Sequence, residues 1–378
     1  MVTRNWKSIR HKVLLAVLAL LALYPAVQGC FHLVKEPKLD GAVDYRPDIS
    51  FTWAGWWNGT WQIAKEDYLS EQFGFRNFFV RLHNEIDFRL FGEGHARNVV
   101  IGKEGFLYER DYILTWYGKD YQGDAALSGF ITRLKSVQRK LESRGKTLLV
   151  VLAAGKGSFY PEYFPESYAS WKRGPVNYEA FSRIATDSGL NFIDFSSHFR
   201  ALKKDSPYPL FPRHGIHWSH YGMALVADSL VLSIQKYRKI QMDRLRWSVV
   251  DLQPAKDTDY DIGSGLNLLT RLRGPVMAYP RLQQEAVAGS TKPSILVIAD
   301  SFYWGIYNMG FSNLFSTSHF WYYNNEVYPE SFKSPIKVSE LDLGSEVDKH
   351  DVFVLMATEH NIPGVGWGFA DAFLGLEE

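Results

Sequence analysis

Three stretches with continuously apolar interiors, "KTLLVVLAA" (146–154), "SILVIA" (294–299) and "DVFVLMA" (351–357), constrain this chain more than any other feature. A strand with one wet face alternates polar and apolar residues. A strand buried on both faces has no reason to alternate, and that pattern belongs to parallel sheets sandwiched between helices. Amphipathic helices are predicted between the runs, over Ala126–Ser143, Pro175–Ser188 and Tyr221–Tyr237, with a shorter apolar run, "NFIDF", at 191–195. The expected fold is therefore α/β, a parallel sheet with helices on both faces, filling residues 98–378. Ligands of such sheets sit beyond the carboxyl ends of the strands, so chemistry is sought there.

The N-terminus differs in kind. Arg4, Lys7, Arg10 and Lys12 form a basic segment without an acid, and the 19 residues from Val13 to Phe31 carry no full charge. A bilayer-spanning helix needs roughly 20 apolar residues. Two readings compete for residues 1–30: an uncleaved signal anchor, or a lipoprotein signal processed at Cys30, where Val27 and Gly29 suit the cleavage site and Gln28 suits it poorly. Both export the rest of the chain, because the positive flank stays in the cytoplasm. Cys30 is the sole cysteine, which excludes an internal disulfide framework. Forty-two basic against 41 acidic side chains give a net charge of +1, so no global field points to nucleic acid.

Residues 31–97 read as a linker and a helical lead-in. The stretch 31–60 is predicted extended, and the three-and-four spacing of apolar residues from Trp61 to Phe91, with Phe78, Leu82, Ile86 and Leu90 on one face, predicts a helix. Trp53, Trp56, Trp57 and Trp61 read as a carbohydrate platform, a membrane-interface belt or packing. "NVVIGKEGFLYER" (98–110) has the pattern of a hairpin.

Two segments fall at predicted strand ends and carry residue types fit for chemistry. "ILVIADSFYWG" lifts Ser301 to the rim of the sheet, where turn amides can face a developing oxyanion; as an alternative, Ser301 caps a helix. A serine nucleophile needs a base, and "HGIHWSHYG" offers one. Its three histidines, His214, His217 and His220, raise a metal reading, but they lack the i, i+4 helical pairing of a zinc protease motif and a nearby Glu or Cys, so no metal is expected. Trp218 either stacks on a sugar or joins the core, and Lys156 either contacts an anionic substrate or is a solvated loop residue. Tyr323 and Asn324, after a strand, are candidate oxyanion donors or saccharide contacts, and Glu359 and His360 lie near the rim by topology.

These segments together resemble the alginate O-acetyltransferase family of SGNH-hydrolase-like proteins, the periplasmic J and X components. "EQFGFRNFFVRLHNEIDFRLFG" is similar to its Phe-x-Phe-Arg helix, "VVIGKEGFLYERDY" to its Gly-Lys-Asp-Gly-Trp-Leu-Phe segment and "LAAGKGSFYPEYFP" to its Pro-x-Lys-x-x-x-Tyr-Pro-Glu segment. "GIHWSHYGM" matches its Asp-x-His-Trp-x-x-x-Gly signature, and "IADSF" its Gly-Asp-Ser-Phe block. The resemblance implies Ser301 as acyl-accepting nucleophile, His217 as its base, and Asp300 as organiser of the nucleophile turn. It also implies a polysaccharide substrate, no cofactor, and a membrane-bound O-acyltransferase partner supplying acetyl groups. The tail after the last strand is expected to be too short for a separate carbohydrate-binding domain. One position departs: the family's acid two residues before the histidine is Gly215 here. An Asp from another strand end, a backbone carbonyl or His214 is left to orient His217. The missing acid also motivates a rival, a non-catalytic binding or scaffold protein of the same fold, and the site with water as acceptor makes an esterase.

Overall fold

A computed structural model describes residues 3–41 and 46–376. The chain divides into two units: residues 1–97 with 263–271, and residues 98–262 with 272–378.

In the first unit, helix Thr3–Phe31 contains a stretch, Ser8–Phe31, long and apolar enough to cross a membrane. Cys30 is exposed in its last turn. The expected linker is not extended throughout. Thr52 accepts a hydrogen bond from the Gly55 amide (3.1 Å) and so caps a short helix, Trp53–Asn58. Trp53, Trp56 and Trp57 are exposed, and Trp56 packs on Trp61 with ring centroids 5.6 Å apart. Residues 42–45 of that linker, and the side chains of Arg4 and Lys7, lie outside the described residues.

The helix expected over 61–91 is two, Thr60–Glu71 and Arg76–Phe91. The break has a steric cause. A Cβ on Gly74 would lie 2.0 Å from the Pro25 carbonyl oxygen, so the chain turns where it meets the first helix, and Phe75 takes φ 62°. The second helix then starts on a carboxylate: Glu36 accepts from the amides of Phe75 (2.9 Å) and Phe78 (3.1 Å).

The second unit is α/β. Its central sheet is built from β1 (Thr147–Ala153), β2 (Phe192–Asp194), β3 (Ile295–Ala299), β4 (Ser318–Tyr322), β5 (Glu326–Tyr328) and β6 (Val352–Thr358), in the order β5-β4-β3-β6-β1-β2. Every pairing is parallel except β4 with β5. Leu148, Val150, Leu152, Leu296, Ile298, Phe353 and Leu355 point to one face, against helices Asp124–Glu142, Asn177–Asp187 and Phe369–Leu374. Alternate residues Leu149, Val151, Val297 and Val354 are equally buried on the other face, where helix His220–Arg238 runs. Each such side chain stabilises the fold by about 1.5–3 kcal/mol, and cutting Phe353 to Ala would cost about 3–5 kcal/mol. The hairpin expected at 98–110 pairs Val99–Ile101 with Leu107–Glu109.

Candidate active site

β3 ends at Ala299, and the chain turns at once through Asp300 and Ser301 into a short helix, Tyr303–Asn308. Asp300 is fully buried and holds this turn. Its Oδ1 accepts from the Phe302 amide (3.1 Å), while its Oδ2 accepts from the Thr358 amide (2.8 Å) and the Asn361 side-chain amide (3.0 Å), tying the turn to the end of β6. Phe302, not Ser301, occupies the cap position of the helix. The Ser301 side chain faces His217 instead.

The loop carrying His217 is fixed along its length. Trp218 donates from its indole to the Phe302 carbonyl (3.1 Å), and the Ser219 amide donates to Leu210 (2.8 Å). Lys156 donates to the carbonyls of Leu107 (2.6 Å), Arg213 (2.9 Å) and Gly215 (2.7 Å). Both readings of Lys156 are thereby corrected: it has no solvent exposure and faces no substrate. Burial pulls its pKa down to about 7, yet three carbonyl acceptors require the three N–H donors of the ammonium form. Trp218 is likewise fully buried, so stacking on a sugar is excluded.

His217 Nε2 lies 3.0 Å from Ser301 Oγ, and its Nδ1 lies 2.5 Å from Asp261 Oδ2. A carboxylate can only accept, so the ring proton sits on Nδ1 and leaves the Nε2 lone pair for the serine O–H. Asp261 Oδ1 accepts from the amides of Ile216 (2.9 Å) and Ile262 (2.6 Å), which fixes the carboxylate against the histidine loop. Burial disfavours the charged imidazole, but the Asp261 hydrogen bond and charge, with Asp300 and Glu109 behind them, outweigh it and raise the His217 pKa. Glu109, the last residue of strand Leu107–Glu109, is itself raised by burial.

Asp261 was missed from the sequence, and Gly215 explains its position. A Cβ at 215 would stand 2.3 Å from the Thr258 carbonyl oxygen and 3.0 Å from the Asp259 carbonyl carbon. Segment 257–261 occupies the space that a side chain at 215 would need. The other histidines go elsewhere. His214 is buried edge-on against Tyr260 (5.7 Å between centroids) and does not orient His217; His220 pairs with Asp259 (3.4 Å) and lies on Tyr279 (4.8 Å). The three histidines therefore do not converge on one ion.

Tyr323 and Asn324 are the central residues of the turn in the three-residue connection between β4 and β5, at φ 50° and 51°, closed by a hydrogen bond from the Asn325 amide to Tyr322 (3.0 Å). A tyrosine in the left-handed region is uncommon and costs of order 1 kcal/mol or more. Burial first, and then the Asp300 charge, push the Tyr323 pKa up to about 12, so it stays a neutral O–H. The Ser301 hydroxyl and backbone amide act on the Tyr323 phenol as donors and pull its pKa down, by less. Asn324 donates to the Trp367 carbonyl (3.0 Å), a use of its amide in holding the turn.

Beyond β6, Glu359 is buried with its carboxyl raised by desolvation, and it accepts from Ser158 (2.6 Å) and Ser196. It lines a cavity of about 370 Å³ with Arg173, Arg200, Trp116 and Tyr178. His360 meets the Thr115 hydroxyl (3.1 Å).

Parts of the chain are similar to known proteins. Residues 99–269 match the family described as SGNH hydrolase-like domain, acetyltransferase AlgX, a range that holds His217 and Asp261 and ends before Ser301. The chain is similar to the probable alginate O-acetylase AlgJ of Azotobacter vinelandii, 28% identical over 182 residues, covering 47% of this chain and 44% of that one. Its counterpart from Pseudomonas aeruginosa is 27% identical over 180 residues, covering 47% and 44%. The chain thus spans under half the length of the curated relatives it matches. A solved structure of the O-acetyltransferase domain of Pseudomonas putida AlgJ aligns with a TM-score of 0.47 at 15% identity, over 70% of this chain and 92% of that one.

Proposed function

We propose that this protein is an extracytoplasmic serine O-acetyltransferase that passes an acetyl group through a Ser301 ester to hydroxyls of an exopolysaccharide. The observation that carries the reading is the hydrogen-bonded series Asp261, His217, Ser301, with the imidazole lone pair on the serine oxygen. His217 removes the Ser301 proton as Oγ attacks the donor's acetyl carbonyl, and the imidazolium formed is held by Asp261. The tetrahedral oxyanion is received by the Ser301 amide and the Tyr323 hydroxyl. His217 then returns the proton to the leaving group. In the second half, His217 deprotonates a sugar hydroxyl that attacks the ester and releases Ser301. Relatives described as probable alginate O-acetylases support a polysaccharide acceptor. Acetyl-CoA is cytoplasmic, so a membrane-bound O-acyltransferase partner delivers the donor group, and the N-terminal helix keeps the domain at the membrane as an uncleaved anchor.

The scaffold alternative rested on a missing acid, and Asp261 removes its motive. Serine-directed fluorophosphonate is expected to label wild-type protein and not Ser301→Ala, and the variant is expected to lose turnover of a chromogenic acetyl ester. Unchanged turnover by folded Ser301→Ala overturns the reading. Acetylated oligosaccharide formed from donor and acceptor together separates transferase from esterase, which yields only free acetate.

A further inference from the structure

At the amino ends of the strands, the end of the sheet opposite Ser301, a buried group of side chains takes no part in the chemistry above. His319 stands at the start of β4, His350 just before β6, and Glu346 on helix Leu343–Lys349. His350 has no solvent exposure, and Glu346 has 8%. His319 Nδ1 and His350 Nε2 face each other at 2.8 Å, and one ligand atom from each of the three residues lies within 4.8 Å of the others.

The outer partners of the two rings decide what that short separation means. His319 Nε2 lies 3.1 Å from a Glu330 carboxylate oxygen, and His350 Nδ1 lies 2.7 Å from the Glu346 backbone carbonyl. Both partners can only accept, so each ring must place its proton outward. Two neutral imidazoles then turn bare lone pairs on each other. Something positive has to stand between them. A single extra proton would serve the rings alone, whereas a divalent ion would serve both rings and also the Glu346 carboxylate, whose Oε1 accepts from Lys349 (2.7 Å). Outward N–H groups on a carboxylate and a backbone carbonyl are also the partners that fix metal-binding histidines in tautomer and orientation.

We propose that His319 Nδ1, His350 Nε2 and the Glu346 carboxylate form a buried site for a divalent ion of the zinc type, a structural clamp between β4, helix Leu343–Lys349 and β6. Two imidazoles and one carboxylate are ligands zinc accepts, with a fourth tetrahedral position for water. At Zn–N lengths of about 2.0–2.1 Å the two nitrogens would stand about 3.4 Å apart, so the rings must part by about half an ångström. A second group on the first unit, exposed His83 and His95 with half-buried Asp87, serves as the internal control.

The test uses the full chain in detergent, stripped with chelator and given ZnCl2. Wild type, Ser301→Ala and a His83→Asn/His95→Asn double variant are each expected to retain one zinc per chain after gel filtration. Their melting midpoints should rise by roughly 5 °C at a hundredfold excess over Kd, reversibly with chelator. His319→Asn, at a partly exposed position, is expected to lose both the bound zinc and the rise. Absence of tight zinc in the wild type, as a shared proton would give, overturns the proposal without reference to any variant. Zinc retained by His319→Asn, or lost from the double variant, overturns it as well. Because Ser301→Ala binds zinc by this proposal, failure of the acetyl-transfer reading leaves this result unchanged.

Discussion

Replacing Asp261 with Asn leaves the size of the side chain unchanged and removes the charge that raises the His217 pKa. The amide can also present an N–H to Nδ1, which drives the ring proton to Nε2, where it faces Ser301 and cannot act as a base. The expected loss in kcat on a chromogenic acetyl ester is about 10³–10⁴-fold, the size seen when the orienting acid of a serine hydrolase is made neutral. Tyr323→Phe keeps the ring and the strained turn and deletes one oxyanion donor. A kcat drop of about 100-fold with little change in KM is expected, and an unchanged kcat would remove Tyr323 from the mechanism. Ser301 and His217 were legible because each stands at the end of an apolar run or beside a helix start. Asp261 was not, because it comes from 44 residues along the chain. "DTDYD" (257–261) offers three acids in alternation, and only folding turns Asp259 to His220 and Asp261 to His217.

The elements around the site explain why position 215 is glycine. Gly215→Ala places a Cβ 2.3 Å from the Thr258 carbonyl oxygen, and backbone is not free to yield as a side-chain tip would. The expected result is displacement of segment 257–261: a destabilisation of about 1–3 kcal/mol by denaturant unfolding, with loss of esterase turnover beyond what the lost stability explains. Gly215→Asp, which restores the acid of the resembled signature, should behave no better, because the added carboxylate meets the same backbone. Lys156→Met leaves the Leu107 and Gly215 carbonyls without a donor, while Arg213 keeps the Leu107 amide, and should cost about 2 kcal/mol or more, read from the urea midpoint. The strands were legible because burial on both faces writes itself as an uninterrupted apolar run. The break at Gly74 was hidden because the helical periodicity runs straight through it, and its cause is the Pro25 carbonyl, about fifty residues earlier.

Across the whole molecule, two properties separate cleanly. Under the proposed function, membrane attachment would belong to Ser8–Phe31: Cys30→Ala is then expected to leave the protein in the membrane fraction at its full mass, and processing at Cys30 in the wild type would replace the anchor by a lipid. Dependence on pH belongs to the site, and His217 makes catalysis and stability run in opposite directions. Its pKa in the folded chain lies above that of the unfolded chain, because Asp261 and the charges behind it outweigh burial. A group with a raised pKa contributes stability fully below its unfolded value, about 6.5, and loses that contribution as pH rises through its folded value. Catalysis needs the neutral base, so kcat/KM should rise through that same folded value, with an acid limb above the ordinary histidine range. In Asp261→Asn the raising charge is gone. The limb of the residual activity should then move to lower pH, and the drop in melting midpoint relative to wild type should be largest in mild acid and shrink toward alkaline pH. A difference in midpoint that is constant with pH would mean that Asp261 acts through its hydrogen bonds to the Ile216 and Ile262 amides alone, and not through the charge on His217.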